Sequence, residues 1–138
     1  MDKVFLDTNI LLDFLAARTP FDKHAKALFE RAESGEIRLH ISVLSICNIA
    51  YILRKILPGS NIVKILNDLN MLVTLVPLDE QIILDALESS FTDFEDAIQH
   101  FSAFRYGEIK YLITRNPSDF KNSQIPVITP ELYLQASR

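Results

Sequence analysis

The sequence has few of the residues that form cross-links, flexible tracts or zinc sites. One cysteine, Cys47, stands among 138 residues, so no disulfide can form within the chain, as is usual for cytoplasmic proteins. There is no tryptophan and there are only three glycines, which excludes a glycine-rich low-complexity chain. The three histidines lack zinc-ligand spacing, and we expect them to lie on the surface or to be satisfied by hydrogen bonds. Cys47 is flanked by apolar residues, which predicts that it is buried.

The sequence also lacks a long apolar run and an excess of basic residues. Asn48, Arg54 and Lys55 interrupt the longest apolar stretch, so we expect no membrane span. The first residues lead directly into a strand-like run that ends at Leu6, which argues against a signal peptide and favours a cytoplasmic location. The net charge of −4 counts against a simple RNA-binding module. It counts less against a nuclease, because an acidic metal site itself lowers the net charge.

Short strand-like runs alternate with amphipathic helical patterns along the whole chain, without repeats or a linker, so we predict a single domain over residues 1–138. This alternation predicts a parallel sheet covered by helices on both faces. The predicted strands are residues 3–6, 37–41, 72–76, 111–114 and 126–128. Helices are predicted over residues 9–17, 61–70 and 79–89. A further helix begins after Pro20 and ends at Ser34, and another runs from Ser42 or Ser45 to about residue 57. The last two are a helix from Thr92 or Asp93 to residue 106 and a helix that begins at Pro130.

Acidic residues recur where strands are predicted to end. Asp7 directly follows the first strand, and Asp119 lies a few residues after the fourth. Asp93 and Asp96 are three positions apart, so both can lie on one side of a first helical turn. Each acid also has a plain structural interpretation, because Asp is a good helix cap and a good turn residue. Asp96 is harder to explain in this way, since it borders the apolar face that Ile98 helps to form.

Taken together, the acids predict a single site. The carboxyl ends of parallel strands share one edge of the sheet, so these side chains are expected to converge there. Clustered carboxylates raise one another's pKa, and a divalent cation removes that cost. A site made of oxygen ligands without Cys or His suits Mg²⁺ or Mn²⁺. Such an ion activates water and stabilises charge on phosphate, which favours phosphodiester hydrolysis.

Three segments, in this order, resemble the motifs of the PIN-domain family, and in particular its VapC-like toxin ribonucleases. They are residues 5–13 (FLDTNILLD), residues 93–99 (DFEDAIQ) and residues 113–120 (ITRNPSDF), the last followed by residues 125–130 (IPVITP). The resemblance covers nearly the whole chain. It implies a three-layer α/β/α sandwich with a central parallel sheet of about five strands. It also implies an Mg²⁺- or Mn²⁺-dependent endoribonuclease that acts on RNA, as the toxin of a type II toxin–antitoxin pair bound by a cognate antitoxin protein.

The resemblance also implies roles for individual residues. Asp7, Asp96 and Asp119 would be catalytic metal ligands, and Thr8, Asn9, Thr114 and Asn116 would support those ligands or hold water. One position departs from the family pattern, because Asn48 stands where most PIN domains carry a second acidic residue, a glutamate. Its amide must be hydrogen-bonded or face the site. In this branch Asp93, as a further metal ligand, or Glu95 would supply the missing charge.

The sequence says less about partners. Arg115, inside the closing motif, is the best candidate for contact with RNA phosphates, although Arg18, Arg54, Lys55, Arg105 and Lys110 share this possibility. Phe14, Leu15, Phe21, Ile52, Leu53 and Leu57 exceed what one core needs, and some are expected in a homodimer seam or an antitoxin groove. Two alternatives stay open. One is a non-catalytic PIN-like scaffold for RNA or protein. The other is a haloacid-dehalogenase-like phosphatase, although that family carries a second Asp at the position that Asn9 holds here.

Overall fold

The computed structural model describes residues 1–136, and in these residues strands alternate with helices as the sequence predicts. The strands are β1 (Asp2–Leu6), β2 (Ile37–Ser42), β3 (Thr74–Val76), β4 (Tyr111–Ile113) and β5 (Val127–Ile128). The helices are α1 (Thr8–Leu15), α2 (Asp22–Glu33), α3 (Val43–Ile56), α4 (Ile62–Asn70), α5 (Glu80–Glu88), α6 (Phe94–Tyr106) and α7 (Pro130–Ala136), with a 3₁₀ helix at Pro117–Phe120.

The five strands form one parallel sheet in the order β3-β2-β1-β4-β5. β1 is the central strand, and its register pairs Val4 with Leu39 of β2 and Leu6 with Ile113 of β4. The chain leaves β1 toward β2 and later crosses back to place β4 on the other side of β1. Ligands of open parallel sheets bind at the carboxyl edge where the strand order reverses, which here lies between β1 and β4.

Helices cover both faces of the sheet, which confirms the predicted three-layer α/β/α architecture. Successive side chains of a strand point to opposite faces. Val4 and Leu6 therefore join the core beneath α1–α4 and α7, whereas Phe5 packs on the opposite side with Ala103 of α6 and Phe120. A third apolar cluster, around Ile98, joins α5 to α6. Together these layers bury the sheet on both sides, as a parallel sheet requires.

Helix caps explain why several helices begin where they do. The side chains of Ser42, Asn61, Asp79 and Asp93 each accept a hydrogen bond from a backbone N–H in the first turn of the following helix. Of the two serines proposed to cap α3, Ser42 is the cap, whereas Ser45 is buried inside the helix. Among the described residues, no helix combines the length and the apolar character that crossing a bilayer demands.

The structure corrects one prediction about burial and shows where the apolar residues suggested for a seam or groove lie. Cys47, predicted to be buried, is exposed, because it lies on the outer face of α3 with Val43 and Tyr51, each four residues away. The apolar residues suggested for a seam or groove belong largely to the core. Leu53 is buried, whereas Phe21 is 41% exposed, so most of this set needs no partner to account for it.

Candidate metal centre in an acidic cleft

A cleft of about 460 Å³ opens at the carboxyl edge of the sheet. Five carboxylates line it, together with three amides, a threonine hydroxyl, an aromatic ring and two aliphatic side chains. Its lining residues are Asp7, Thr8, Asn9, Leu12, Asn48, Tyr51, Ile52, Asp93, Glu95, Asp96, Gln99, and Asp119. Acids predicted from distant parts of the sequence therefore meet on one surface of the fold.

Asp7 is the most deeply placed acid of the cleft, with 5% of its surface exposed. It stands at the N-cap position of α1, but its side chain makes no capping hydrogen bond. Instead, Gln99 Nε2 donates to Asp7 Oδ1 at 3.0 Å, and Thr114 Oγ1 donates to Asp7 Oδ2 at 2.8 Å. These two hydrogen bonds satisfy both carboxylate oxygens and fix the orientation of the side chain. The capping interpretation of Asp7 is thus not how the fold uses this side chain.

Gln99 connects Asp7 to a buried polar network that the sequence analysis missed. The Thr8 backbone N–H donates to Gln99 Oε1 at 3.1 Å, and the Thr8 hydroxyl lies 2.7 Å from the Ser45 hydroxyl. Both Gln99 and Ser45 are buried. Because a buried polar side chain needs partners, a glutamine three residues after Asp96 on an otherwise apolar face was the available signal.

The acids of α6 lie at the start of that helix. Asp93 caps it by accepting a hydrogen bond from Asp96 N at 2.9 Å, so the structural interpretation of Asp93 is correct, and the residue also lines the cleft. Burial raises the pKa of Asp96 most, and together with the charges of Asp7, Asp93, Asp119 and Glu95 it brings this pKa to about 7. A carboxyl group with so high a pKa lies among carboxylates that repel its charge.

Asn48 faces the cleft from α3, as its position in an apolar helix predicted. Its Nδ2 donates to Glu95 Oε2 at 3.1 Å, a contact that joins α3 to α6 across the cleft. The amide at the atypical position therefore holds a carboxylate that comes from another helix. This contact holds the Glu95 carboxylate at the cleft, and its role as a substitute for the charge that Asn48 lacks stays a prediction.

The segment after β4 contains three residues predicted for the site. The side chains of Asp119 and Thr114 belong to it, whereas Asn116 contributes only its backbone N–H. Asp119, on the 3₁₀ helix, lines the cleft, and Thr114 is fully buried beneath Asp7. Asn116 N donates to Thr114 Oγ1 at 3.1 Å and so helps to orient that hydroxyl. The Asn116 side chain is not among the groups that line the cleft.

Arg115 lies outside the acidic cleft. Its Nε is 2.8 Å from Asp13 Oδ2, and its guanidinium stacks over the Phe21 ring at 3.8 Å from the ring centre. Asp13 is 1% exposed and also accepts a hydrogen bond from Arg18 Nε at 3.0 Å. Asp13, Phe21 and Arg115 line a separate pocket of about 180 Å³. The geometry gives Arg115 a partner within the fold, and its contact with RNA stays a prediction.

The chemistry of the acidic cleft suits a hard divalent cation. Its five acidic side chains offer only oxygen atoms, and carboxylates that repel one another gain most from a bound cation. In residues 1–136 no three Asp, Glu, His or Cys side chains lie close enough together to hold one ion. Shared ligation therefore requires rotamer changes, which the exposed side chains of Asp93, Glu95 and Asp119 can make.

Comparison with solved structures supports the fold. It resembles the VapBC complex from Salmonella typhimurium bound to DNA, with 17% identity, a TM-score of 0.68, and coverage of 94% of this chain and 99% of that chain. The fold also resembles VapBC2 from Rickettsia felis bound to a promoter DNA fragment, with 13% identity, a TM-score of 0.67, and coverage of 92% of this chain and 98% of that chain. A toxin–antitoxin complex from Klebsiella pneumoniae has 24% identity, a TM-score of 0.63, and coverage of 92% and 97%.

Sequence comparison gives the family itself. No curated protein sequence matches this chain significantly. The family profile described as the PIN domain matches residues 3–118, which include β1, the acidic residues of α6 and the strand β4. This match spans most of the chain and agrees with the parallel sheet and with the acidic cleft at its carboxyl edge. The chain belongs to the PIN-domain family.

Proposed function

We propose that this protein is a metal-dependent endoribonuclease that hydrolyses RNA phosphodiester bonds. The observation that carries the proposal is the convergence of five carboxylates in the cleft between β1 and β4. The raised pKa of Asp96 supports it, because an ordinary polar surface does not place an acid where its charge is so poorly stabilised. Membership of the PIN-domain family points to the same chemistry.

The residues of the chain divide into those that hold the ion and those that orient them. Asp7, Asp96 and Asp119 would hold Mg²⁺ or Mn²⁺, with Asp93 as a further candidate ligand. When bound, such an ion would activate a water molecule and stabilise negative charge on the scissile phosphate. The orienting residues are those that contact Asp7 or the cleft wall, namely Thr8, Asn9, Asn48, Gln99, Thr114 and the backbone of Asn116.

We further propose that the chain acts as one domain, as a cytoplasmic toxin neutralised by a cognate antitoxin protein. Of the three structurally similar complexes named above, one is a toxin–antitoxin complex and two are VapBC complexes, which supports an antitoxin partner. A homodimer is the expected state of the free protein. Light scattering tests it directly, since a dimer has twice the 15.8 kDa mass of the chain, and a monomer at all concentrations would contradict it.

The first experiment is cleavage of total small RNA by the purified protein with Mn²⁺ or Mg²⁺. Asp96→Asn removes a proposed ligand, and Asp68→Asn is the matched control, because Asp68 lies on α4, exposed and paired with Lys64. Discrete fragments are expected from the wild type and from Asp68→Asn. They are expected to disappear with EDTA and in Asp96→Asn.

Calorimetric titration with Mn²⁺ separates the possible failures. Absence of both cleavage and Mn²⁺ binding would contradict the proposal and favour a scaffold without catalysis. Cleavage that persists in EDTA and in Asp96→Asn would show that another site, or a contaminant, cuts the RNA. Mn²⁺ binding without cleavage calls for folded and structured RNAs as substrates, because specific RNases recognise the shape of loops and ends. Failure on that wider panel would also contradict the proposal.

A further inference from the structure

Tyr51 is an exposed aromatic residue at the edge of the acidic cleft. It lies on α3 one turn after Asn48 and lines the cleft together with the carboxylates, yet 59% of its surface is accessible to solvent. It is the one aromatic side chain among the cleft-lining residues of the described chain. An exposed ring beside a candidate catalytic site is poorly explained by packing, because aromatic residues gain most free energy when they are buried.

A lysine occupies one face of this ring. Lys55 lies one turn further along α3, and its Nζ is 4.4 Å from the centre of the Tyr51 ring, a cation–π contact. Among residues 1–136, no carboxylate forms an ion pair with Lys55. Its charge is therefore available to an external anion, while the exposed part of Tyr51 is available to a planar group.

The order of side chains along α3 matches the order of groups in a nucleotide chain. Asn48, Tyr51, Ile52 and Lys55 follow one another at i, i+3, i+4 and i+7, so they lie on one face of the helix. At 1.5 Å per residue, Lys55 lies about 10 Å further along the helix axis than Asn48. The face thus runs from the acidic centre to an aromatic ring and then to a cation.

We propose that Tyr51 and Lys55 form a docking platform for single-stranded RNA. A nucleobase next to the scissile phosphate stacks on the Tyr51 ring, and a neighbouring phosphate contacts the Lys55 ammonium. This inference rests on the proposed ribonuclease function and specifies its substrate. Base stacking on an exposed ring requires an unpaired base, because the faces of paired bases are covered in a duplex.

Charge supports the same assignment. Five carboxylates in the cleft repel a polyanion, so RNA needs favourable contacts outside the metal centre to bind in the right register. Stacking supplies such a contact without charge, and Lys55 supplies one with positive charge. The platform therefore fixes where the strand lies relative to the acids, without reading base edges, which predicts little sequence preference from this contact.

The test is a fluorescence-anisotropy titration of a short fluorescein-labelled single-stranded RNA, with Ca²⁺ in place of Mn²⁺ to limit cleavage. Tyr51→Ala is expected to weaken binding by about 5- to 100-fold, whereas Tyr51→Phe keeps the ring and its affinity. Lys55→Gln is expected to weaken binding and to reduce the dependence of affinity on salt concentration, by a slope of about one. A duplex RNA probe is expected to bind more weakly and to be insensitive to Tyr51→Ala.

Tyr106→Ala is the matched control, because Tyr106 is also exposed, at 41%, but lines a pocket away from the acidic cleft. Calorimetry is expected to give the same Mn²⁺ affinity for Tyr51→Ala and wild type, which shows that the metal centre is intact. In cleavage assays, Tyr51→Ala is expected to raise KM more than it lowers kcat.

Two results would overturn the platform. If the wild type binds the single strand and Tyr51→Ala binds it equally well, the platform is wrong and the ribonuclease proposal stands. If the wild type does not bind the single strand with any divalent ion, the platform is wrong, and the cleavage assay with the wider RNA panel decides the ribonuclease proposal separately.

Discussion

The Gln99 side-chain amide donates a 3.0 Å hydrogen bond to the Asp7 carboxylate, and its orientation is determined by Thr8. The Thr8 backbone N–H can only donate, so Gln99 Oε1 must face it, and the NH₂ group is left for Asp7. A neutral amide thus sits between a fixed donor and a buried carboxylate. Glutamate has the same shape but cannot donate to Asp7 when it is ionised, which makes this position sensitive to a change of one atom.

Gln99→Glu is expected to destabilise the metal-free protein at neutral pH by about 3 kcal/mol, because it buries a second carboxylate against Asp7 without a donor between them. The two acids would share one proton, so the folded state raises the pKa of the pair. A raised carboxyl pKa gives stability that grows as the pH falls. The free energy of unfolding of Gln99→Glu, measured with urea in EDTA, should therefore approach that of wild type between pH 7 and pH 5.

Gln81→Glu is the matched control for this substitution. Gln81 Nε2 donates to Asp85 Oδ1 at 2.9 Å on the exposed surface of α5, so the same change is made in the same kind of contact. Like charges at this spacing on an exposed helix cost only about 0.2–0.5 kcal/mol. Equal destabilisation by the two substitutions would show that burial and the orientation by Thr8 have no special effect at Gln99.

The fold was largely predictable because its signals are local. Strand-like runs, helix periodicity and caps such as Asn61 and Asp79 act over a few residues, and the structure places helices where these patterns predicted them. The strand predicted over residues 72–76 pairs only from Thr74, because its extent depends on the partner strand β2, where His40 aligns with Thr74. Strand length in a ladder is a property of two segments, which one segment cannot reveal.

In the candidate site, too, local features were predictable and contacts between distant residues were not. Asp7 and Asp119 were identified because each follows a strand, which is a local feature. The contacts that organise the cleft join distant positions, since Gln99 and Asp7 are 92 residues apart and Asn48 and Glu95 are 47 apart. Such pairs come together only when the sheet order is known. The metal-binding roles of these residues stay predictions.

Glu95 is expected to contribute to metal affinity in place of an acid at position 48. Glu95→Gln should weaken Mn²⁺ binding about tenfold or more, which is the usual effect of losing a group that supports a metal ligand. The double substitution Asn48→Glu with Glu95→Gln moves the charge from α6 to α3 and should restore part of the affinity. Calorimetric titration with Mn²⁺ measures both effects.

Glu88→Gln provides the control, because Glu88 is exposed on α5 and does not line the cleft. An unchanged Mn²⁺ affinity in Glu95→Gln would show that this carboxylate has no part in the site. Asp93→Asn extends the comparison to the other acid suggested for this role. If Asp93→Asn reduces Mn²⁺ affinity and Glu95→Gln does not, the charge that compensates for Asn48 comes from Asp93.

His100 is expected to make the protein less stable in mild acid. The ring is 1% exposed, its Nε2 accepts a hydrogen bond from Gln124 N at 3.1 Å, and its Nδ1 has no partner in the described structure, so the expectation that all histidines are exposed or satisfied holds only in part. Burial lowers the pKa of His100 to about 4, well below the 6.5 of an ordinary histidine. The unfolded chain therefore takes up a proton first, and stability falls as the pH drops from about 6.5 toward 4.

A comparison of wild type with His100→Phe isolates this effect, because the raised pKa of Asp96 gives the opposite slope and is present in both proteins. His100→Phe loses the acceptor for Gln124 N at every pH but does not titrate. The stability advantage of wild type over His100→Phe should shrink by about 2 kcal/mol between pH 7 and pH 5. Urea unfolding at both pH values measures it, and a constant difference would mean that His100 is protonated normally in the fold.

Arg115 is expected to matter more for stability than for the metal centre. Burial raises the pKa of Asp13, and Arg115 and Arg18 counteract this by stabilising its charge. Arg115→Leu removes one partner of a buried carboxylate and should lower the free energy of unfolding by about 3 kcal/mol, with Mn²⁺ affinity unchanged. Arg105→Leu, which breaks an exposed pair with Asp79, should cost at most about 1 kcal/mol. A guanidinium that stabilises the fold through Asp13 cannot be removed without lowering the free energy of unfolding. If Arg115→Leu is as stable as wild type but binds single-stranded RNA weakly, the result would instead favour the substrate-binding role predicted from the sequence.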